Sequence, residues 1–188
     1  RCSDHPGFIV NRVNRPFTIQ ALRGLERGDG TVVGIDAAFR SAGFPLGPFA
    51  LMDLIGIDVN LAAATRIWEA FGQAERFRPS PVQEALVAAG RLGRKTGEGF
   101  YRYDDEGAPL GPADEFEAAP RGDSDSQRVV ERVRQAIAEE AVRALAEGVA
   151  ADEATIDLAL KLGAGHPQGP FAWARSHGRL GPRPTIEP

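Results

Sequence analysis

The stretch Ile35-Asp36-Ala37-Ala38-Phe39-Arg40-Ser41-Ala42-Gly43-Phe44-Pro45-Leu46-Gly47-Pro48-Phe49-Ala50 returns later as Ile156-Asp157-Leu158-Ala159-Leu160-Lys161-Leu162-Gly163-Ala164-Gly165-His166-Pro167-Gln168-Gly169-Pro170-Phe171-Ala172. One inserted residue brings the two into register. Chance supplies amphipathic helices easily, but not a shared Gly-x-Pro-x-Gly-Pro-Phe pattern behind each of them. The pattern reads as a helix stopped by glycine, a stiff turn, and a new helix with proline at its first position, where the missing N–H costs nothing. The upstream residues also match, Val10, Val13, Ala21 and Gly28 falling on Val130, Val133, Ala141 and Gly148. A duplicated helical unit with matching apolar faces predicts an all-α fold of two tandem repeats packed as an internal pseudo-two-fold pair. Two independent beads on a string are the competing arrangement, disfavoured because so small a helical unit struggles to bury its own core.

Working outward from the first copy, Phe8 to Arg27 carries apolar residues at helical spacing (Val10, Val13, Phe17, Ala21, Leu25), with Gly28 and Gly30 as stop signals. Pro16 removes a donor inside that pattern and should bend the helix there. Further helices are expected over Val32 to Ser41, from Pro48 onward, over Val59 to Phe71 with Asp58 as cap, and over Pro81 to Ala89. Glycines 93, 97 and 99 then force a loop into a short extended piece, Phe100 to Tyr103. In the second copy, Gln127 to Glu147 places Val130, Val133, Ile137, Ala141 and Leu145 on one face. Helices from Asp152 to Leu162 and from Pro170 follow. Between the copies, Asp104 to Asp125 is rich in glycine and proline and lacks periodicity, so it should be an exposed connector. The expected division is 1–103 for the first copy, 104–125 for an acidic linker, and 126–188 for a second, degenerate copy.

The 188 residues, 43% of them hydrophobic, suffice for one ordinary domain or two small ones. The connector holds eight acidic residues and one arginine, so it accounts for −7 of a formal net charge of −4 and leaves +3 elsewhere. That surplus gives no nucleic-acid footprint. No apolar run reaches the ~18 residues of a membrane helix, and the start has no secretory pattern, so no membrane partner is expected and the cytoplasm is the expected compartment. Cys2, the single cysteine, excludes an intrachain disulfide and a cysteine-based zinc site. The chain opens on Arg1 without an initiator methionine, as a piece of a longer protein would.

Three segments in this order resemble the C-terminal domain of the 3-hydroxyacyl-CoA dehydrogenase family. They are Asp4-His5-Pro6-Gly7-Phe8-Ile9-Val10-Asn11-Arg12-Val13, then Gly43-Phe44-Pro45-Leu46-Gly47-Pro48-Phe49-Ala50-Leu51-Met52-Asp53-Leu54-Ile55-Gly56-Ile57-Asp58, and Gly93-Arg94-Lys95-Thr96-Gly97-Glu98-Gly99-Phe100-Tyr101. The match is close over Arg1 to Tyr103, whereas the second copy matches only through its Gly-Pro-Phe turn. The resemblance implies NAD-linked interconversion of an L-3-hydroxyacyl-CoA and its 3-ketoacyl-CoA. NAD would be bound by an N-terminal Rossmann domain, since this chain has no G-x-G-x-x-G after a strand. Implied partners are the acyl-CoA substrate, that Rossmann domain and a second copy in a homo-oligomer. Tandem C-terminal copies resemble the longer members of the family, including bacterial enzymes of phenylacetate and fatty-acid breakdown. A stand-alone helical interaction or acyl-CoA-binding module without catalysis is the alternative from another class.

The resemblance places Asn11 at the active site, where an amide can donate to the substrate's 3-oxygen and accept from the catalytic histidine. From the residues alone, Asn11 is a polar residue on a helix surface. Aligned without gaps, the second copy has Glu131 there, which predicts a structural role for that copy. Pro45, Leu46, Gly47 and Pro48 form a stiff turn that in the family lies along the acyl pocket; a turn that merely starts a helix is the competing reading. Asp36, Asp53 and Asp58 read as helix caps or loop anchors rather than acid–base pairs. His5, His166 and His177 lack metal-ligand spacing and read as incidental. Arg76, Arg78, Arg91, Arg94 and Lys95 suit CoA phosphates, but read first as a solvated basic face. Trp68 and Trp173 are expected in the core.

Overall fold

The computed structural model describes residues 7–117 and 125–180. Cys2, His5, residues 118–124 of the expected connector and residues 181–188 lie outside them. The described fold is mostly helical, and the chain divides into two compact units, one comprising Arg1–Asn14 with Arg134–Pro188 and the other Arg15–Val133.

The larger unit contains α2 (Arg15–Arg27), α3 (Val32–Ser41), α4 (Pro48–Ile55), α5 (Ile57–Ala70), α6 (Pro81–Ala88), a two-stranded hairpin of β1 (Tyr101–Tyr103) and β2 (Pro109–Pro112), and the start of α7 (Ser126–Ala146). Thr31 caps α3 by accepting from Gly34 N (3.0 Å), and Ser80 caps α6 from Val82 N (3.2 Å). Phe17, Phe39 and Phe44 form one aromatic cluster, with centroids 5.0 to 5.3 Å apart. Phe49, Phe100 and Phe116 form another. Each fully buried ring contributes about 1.5–3 kcal/mol of transfer free energy, so these clusters fix α2, α3, α4 and the hairpin in place.

Three details depart from the sequence reading. The first helix is interrupted at Asn14, between α1 (Phe8–Val13) and α2, rather than bent at Pro16. Pro16 cannot donate to the carbonyl of Arg12 and its ring crowds that group, so the break falls before the proline. Asp58 does not cap α5: Gly56 is the N-cap, and Asp58 sits in the first turn bound to Lys95 Nζ at 2.6 and 2.7 Å. The stretch from Asp104 is folded as far as residue 117. β2 pairs antiparallel with β1 in the register Tyr101 with Pro112 and Tyr103 with Pro109, and Ala113 is fully buried.

The smaller unit consists of α1, the rest of α7, α8 (Glu153–Ala164) and α9 (Pro170–Ser176). Asp152 caps α8 by accepting from Thr155 N (2.7 Å), and Gly165, at φ 66°, ends it in the left-handed conformation. Val13, Ile137, Ala141, Ile156, Leu160, Phe171 and Trp173 form its core. Trp173 is buried as expected, whereas Trp68 of the larger unit is only half-buried. Val10 of α1 lies over Gly163, where an added Cβ would come within 2.9 Å of its Cγ2.

No single described helix is long and apolar enough to cross a membrane; α4 and α5 pass such a test only as a pair bent by 101°.

Candidate functional site

The turn Pro45 to Pro48 is built on a buried carboxylate. Asp36, fully buried on α3, accepts from Phe49 N (3.0 Å) and Ala50 N (2.9 Å), the free donors at the start of α4. Tyr101 Oη adds a third bond at 2.9 Å. Burial pushes the Asp36 carboxyl up to about 6, against the pull of these donors. A Cβ on Gly47 would collide with the Asp36 side chain and its Cα, so glycine is required there. The later Gly169-Pro170 turn is built the same way: Asp157 accepts from Phe171 N (2.8 Å) and Ala172 N (3.1 Å), and Gly169 lies against it as Gly47 lies against Asp36. Asp53 uses the same geometry on a loop, accepting from Phe100 N (3.0 Å), Tyr101 N (2.9 Å) and Tyr103 Oη (3.0 Å), with Gly99 packed against it. Burial raises its carboxyl too. Asp36 and Asp53 are thus anchors, while Gly47 and Pro48 are buried parts of the turn. Pro45 is exposed, and Leu46 is half-buried and faces a groove.

That groove, about 470 Å³ in volume, runs along Val33, Leu46, Ala50 and Leu54 and is bounded by Arg40, Arg94, Tyr101, Tyr103, Gly107 and Pro109. The tyrosines are neutral: burial, then the neighbouring Asp36 or Asp53 carboxylate, pushes each phenol well above its ordinary range.

Asn11, on α1, is exposed, and its amide bonds to no other described residue, so it is available to an external partner. Its neighbour Arg12 is fully buried. Arg12 donates from Nε to Glu140 (2.8 Å), itself 1% exposed, and from Nη1 and Nη2 to Glu147 (2.7 and 3.0 Å). These bonds hold α1 on α7 within the smaller unit and fix the helix that carries Asn11. Sequence reading missed this cluster; its signal was a cation and an anion placed on apolar helix faces, Arg12 beside Ile9 and Val13, Glu140 beside Ile137 and Ala141. Glu131 is exposed on α7, in the part that belongs to the larger unit. Arg15 was missed as well: only 7% exposed, its Nε finds no hydrogen-bond partner, and burial pulls its pKa down to about 10.

The basic residues set against CoA phosphates are mostly occupied. Arg91 pairs with Glu115 and Glu98, Lys95 with Asp58, and Arg78 with Glu75, while Arg76 lies over the Phe77 ring at 4.6 Å. Arg94 stands apart at the groove. His166 is not incidental: it is 7% exposed, with Nε2 2.7 Å from Asn14 Oδ1, and burial, then the charge of Arg134, lowers its pKa to about 4. His177 stacks on Trp173. Among the described residues no group of His, Cys, Asp and Glu is arranged to hold a metal ion.

Comparison with known proteins identifies relatives of this chain. The family described as 3-hydroxyacyl-CoA dehydrogenase, C-terminal domain, matches residues 7–103 and 129–180. The 3-hydroxyadipyl-CoA dehydrogenase of Escherichia coli is 53% identical over 104 residues, 55% of this chain and 22% of that protein. The mitochondrial hydroxyacyl-coenzyme A dehydrogenase of Sus scrofa is 47% identical over 103 residues, 54% of this chain and 33% of that protein. The crystal structure of 3-hydroxybutyryl-CoA dehydrogenase from Escherichia coli superposes with a TM-score of 0.75 at 32% identity, covering 94% of this chain and 54% of that one. The chain therefore spans only about a quarter to a half of these relatives. With both segments matched over more than half of its length, the chain belongs to the 3-hydroxyacyl-CoA dehydrogenase family, to its C-terminal domain.

Proposed function

We propose that this chain is the substrate-closing and dimerisation region of an NAD-dependent L-3-hydroxyacyl-CoA dehydrogenase, acting on an acyl-CoA together with its own N-terminal Rossmann domain. The observation that carries the reading is Asn11, an exposed amide with no hydrogen-bond partner among the described residues, on a helix locked by the buried Arg12 cluster. A carboxamide both donates and accepts, so a fixed Asn11 orients the substrate's 3-oxygen and a catalytic histidine at once. NAD belongs in this reading to the N-terminal Rossmann domain, since among the described residues no strand leads through a glycine turn into a helix that would seat a pyrophosphate. The acyl chain is assigned to the turn Pro45, Leu46, Gly47 and Pro48. The name of the 53% identical relative supports a substrate of the 3-hydroxyacyl-CoA class.

We also propose that the two halves are tandem copies of one helical unit, the second degenerate and structural, with 104–125 joining them and the apolar faces of a former homodimer now meeting inside one chain. The paired carboxylate anchors Asp36 and Asp157 and the two matched segments support descent from one unit. A homo-oligomer of the whole enzyme and a cytoplasmic location complete the reading. The test is direct. Alone, this chain is expected neither to bind NAD nor to oxidise 3-hydroxybutyryl-CoA; joined to its Rossmann domain, it is expected to support turnover. Turnover by the purified chain alone would overturn the assignment.

A further inference from the structure

The groove on the larger unit combines two features, an open apolar wall and a pair of cations. Its walls are apolar and open: Val33 is 43% and Leu54 52% exposed, although surface positions on helices usually carry polar residues. Its rim carries Arg40 and Arg94, for which no ion pair is found among the described residues, whereas the neighbouring cations Arg91, Lys95 and Arg102 each hold a carboxylate. Arg40 and Arg94 line the same groove as Tyr101 and Tyr103. The two phenol hydroxyls are taken up by Asp36 and Asp53. The tyrosines therefore offer a ligand ring surface and no free donor, which suits an alkyl chain and not a sugar or a peptide.

We propose that this groove binds a fatty carboxylate, its alkyl chain lying on Val33, Leu46, Leu54 and Pro109 and its carboxylate held between Arg40 and Arg94. A volume of about 470 Å³ lies within the ~300–1,000 Å³ of small-molecule sites. Planar guanidiniums match a carboxylate through paired N–H donors, and the two cations are the polar end that an otherwise apolar groove needs to orient its ligand. The groove shares Leu46 with the turn to which the acyl chain is assigned, so the inference rests on that reading for part of its apolar wall; octanoate binding needs neither Asn11 nor hydride transfer, so its failure is distinguishable from a failure of the dehydrogenase reading.

The test is titration of this chain with sodium octanoate, followed by amide shifts in 1H–15N spectra. Octanol serves as the probe with the chain but no charge, and acetate as the charge without the chain. Saturable octanoate shifts centred on residues 33, 46, 54 and 103 are expected, with much weaker effects from octanol and acetate. Arg40→Gln with Arg94→Gln is expected to weaken octanoate by about tenfold or more while leaving octanol binding unchanged. Leu54→Glu, which places a like charge on the exposed wall without disturbing buried packing, is expected to abolish binding. Octanol binding as tightly as octanoate, an unchanged affinity in the double variant, or the lack of any saturable site would each overturn the proposal.

Discussion

Asp36 and Asp157 occupy the same place in the two halves because a helix beginning at Gly-Pro leaves backbone donors that need an acceptor where water is excluded. Phe49 N and Ala50 N depend on Asp36 as Phe171 N and Ala172 N depend on Asp157, but Asp36 and Phe49 are fully buried and Ala50 half-buried, whereas the second site has a half-buried Asp157 and ends on the exposed Ala172. Asp36→Ala should therefore cost about 2–4 kcal/mol and Asp157→Ala about 1–2 kcal/mol, read as shifts in the denaturant midpoint at constant slope. Equal costs would show that burial does not set the value of this anchor. His166 makes a second prediction at this scale. Folded, its imidazole stays neutral down to about pH 4, whereas in the unfolded chain it takes up a proton from about pH 6.5. The unfolded state thus binds the extra proton between these values, so stability is full above pH 6.5 and falls as pH drops toward 4, by about 3 kcal/mol for this group. Subtracting the pH profile of His166→Gln from that of the natural chain isolates this contribution; coincident profiles would contradict it.

Helices with clean periodicity and chemical stop signals were legible from sequence: α3 and α6 run as expected, and the Gly-Pro turns open α4 and α9. The interruption at Asn14 was only half legible, because Pro16 announces a break while the carbonyl it fails to serve lies four residues earlier. The hairpin was hidden, because Pro109-Leu110-Gly111-Pro112 has neither alternation nor β-branched residues and its pairing is set by β1, the buried Ala113 and the Phe116 ring on Phe100. Hidden too was the tie between α1 and α7, since Arg12 and Glu140 are 128 residues apart and each alone looks like a surface charge. Removing one partner of that tie leaves a buried charge, so Glu140→Ala should cost about 3 kcal/mol. Replacing Arg12 and Glu140 together by Met should cost distinctly less than the sum of the single changes, as a double-mutant cycle would measure. Additive losses would mean that the cluster acts as unconnected packing.

At the scale of the whole chain, the units do not follow sequence order: the smaller needs Phe8 to Val13 from the start of the chain, and the larger takes the first turns of α7. Similarity between two stretches of sequence does not say which segments pack together, so this exchange was invisible before the structure. It predicts that residues 126–188 expressed alone, without α1, will lack cooperative unfolding by circular dichroism; a sharp two-state melt would contradict it. From sequence, a motif singles out Asn11 and the Pro45 to Pro48 turn as candidates, whereas Arg12, Arg15 and the groove depend on tertiary contacts and were illegible. The proposed part of this chain in the reaction turns on Asn11, and the most direct measurement is kcat/KM for 3-hydroxybutyryl-CoA in the full-length polypeptide carrying Asn11→Ala or Glu131→Ala. Loss of one positioning hydrogen bond near developing charge should lower kcat/KM by about 100-fold for Asn11→Ala, with Glu131→Ala nearly unchanged. Equal effects of the two substitutions, or an unaffected Asn11→Ala enzyme, would contradict the account.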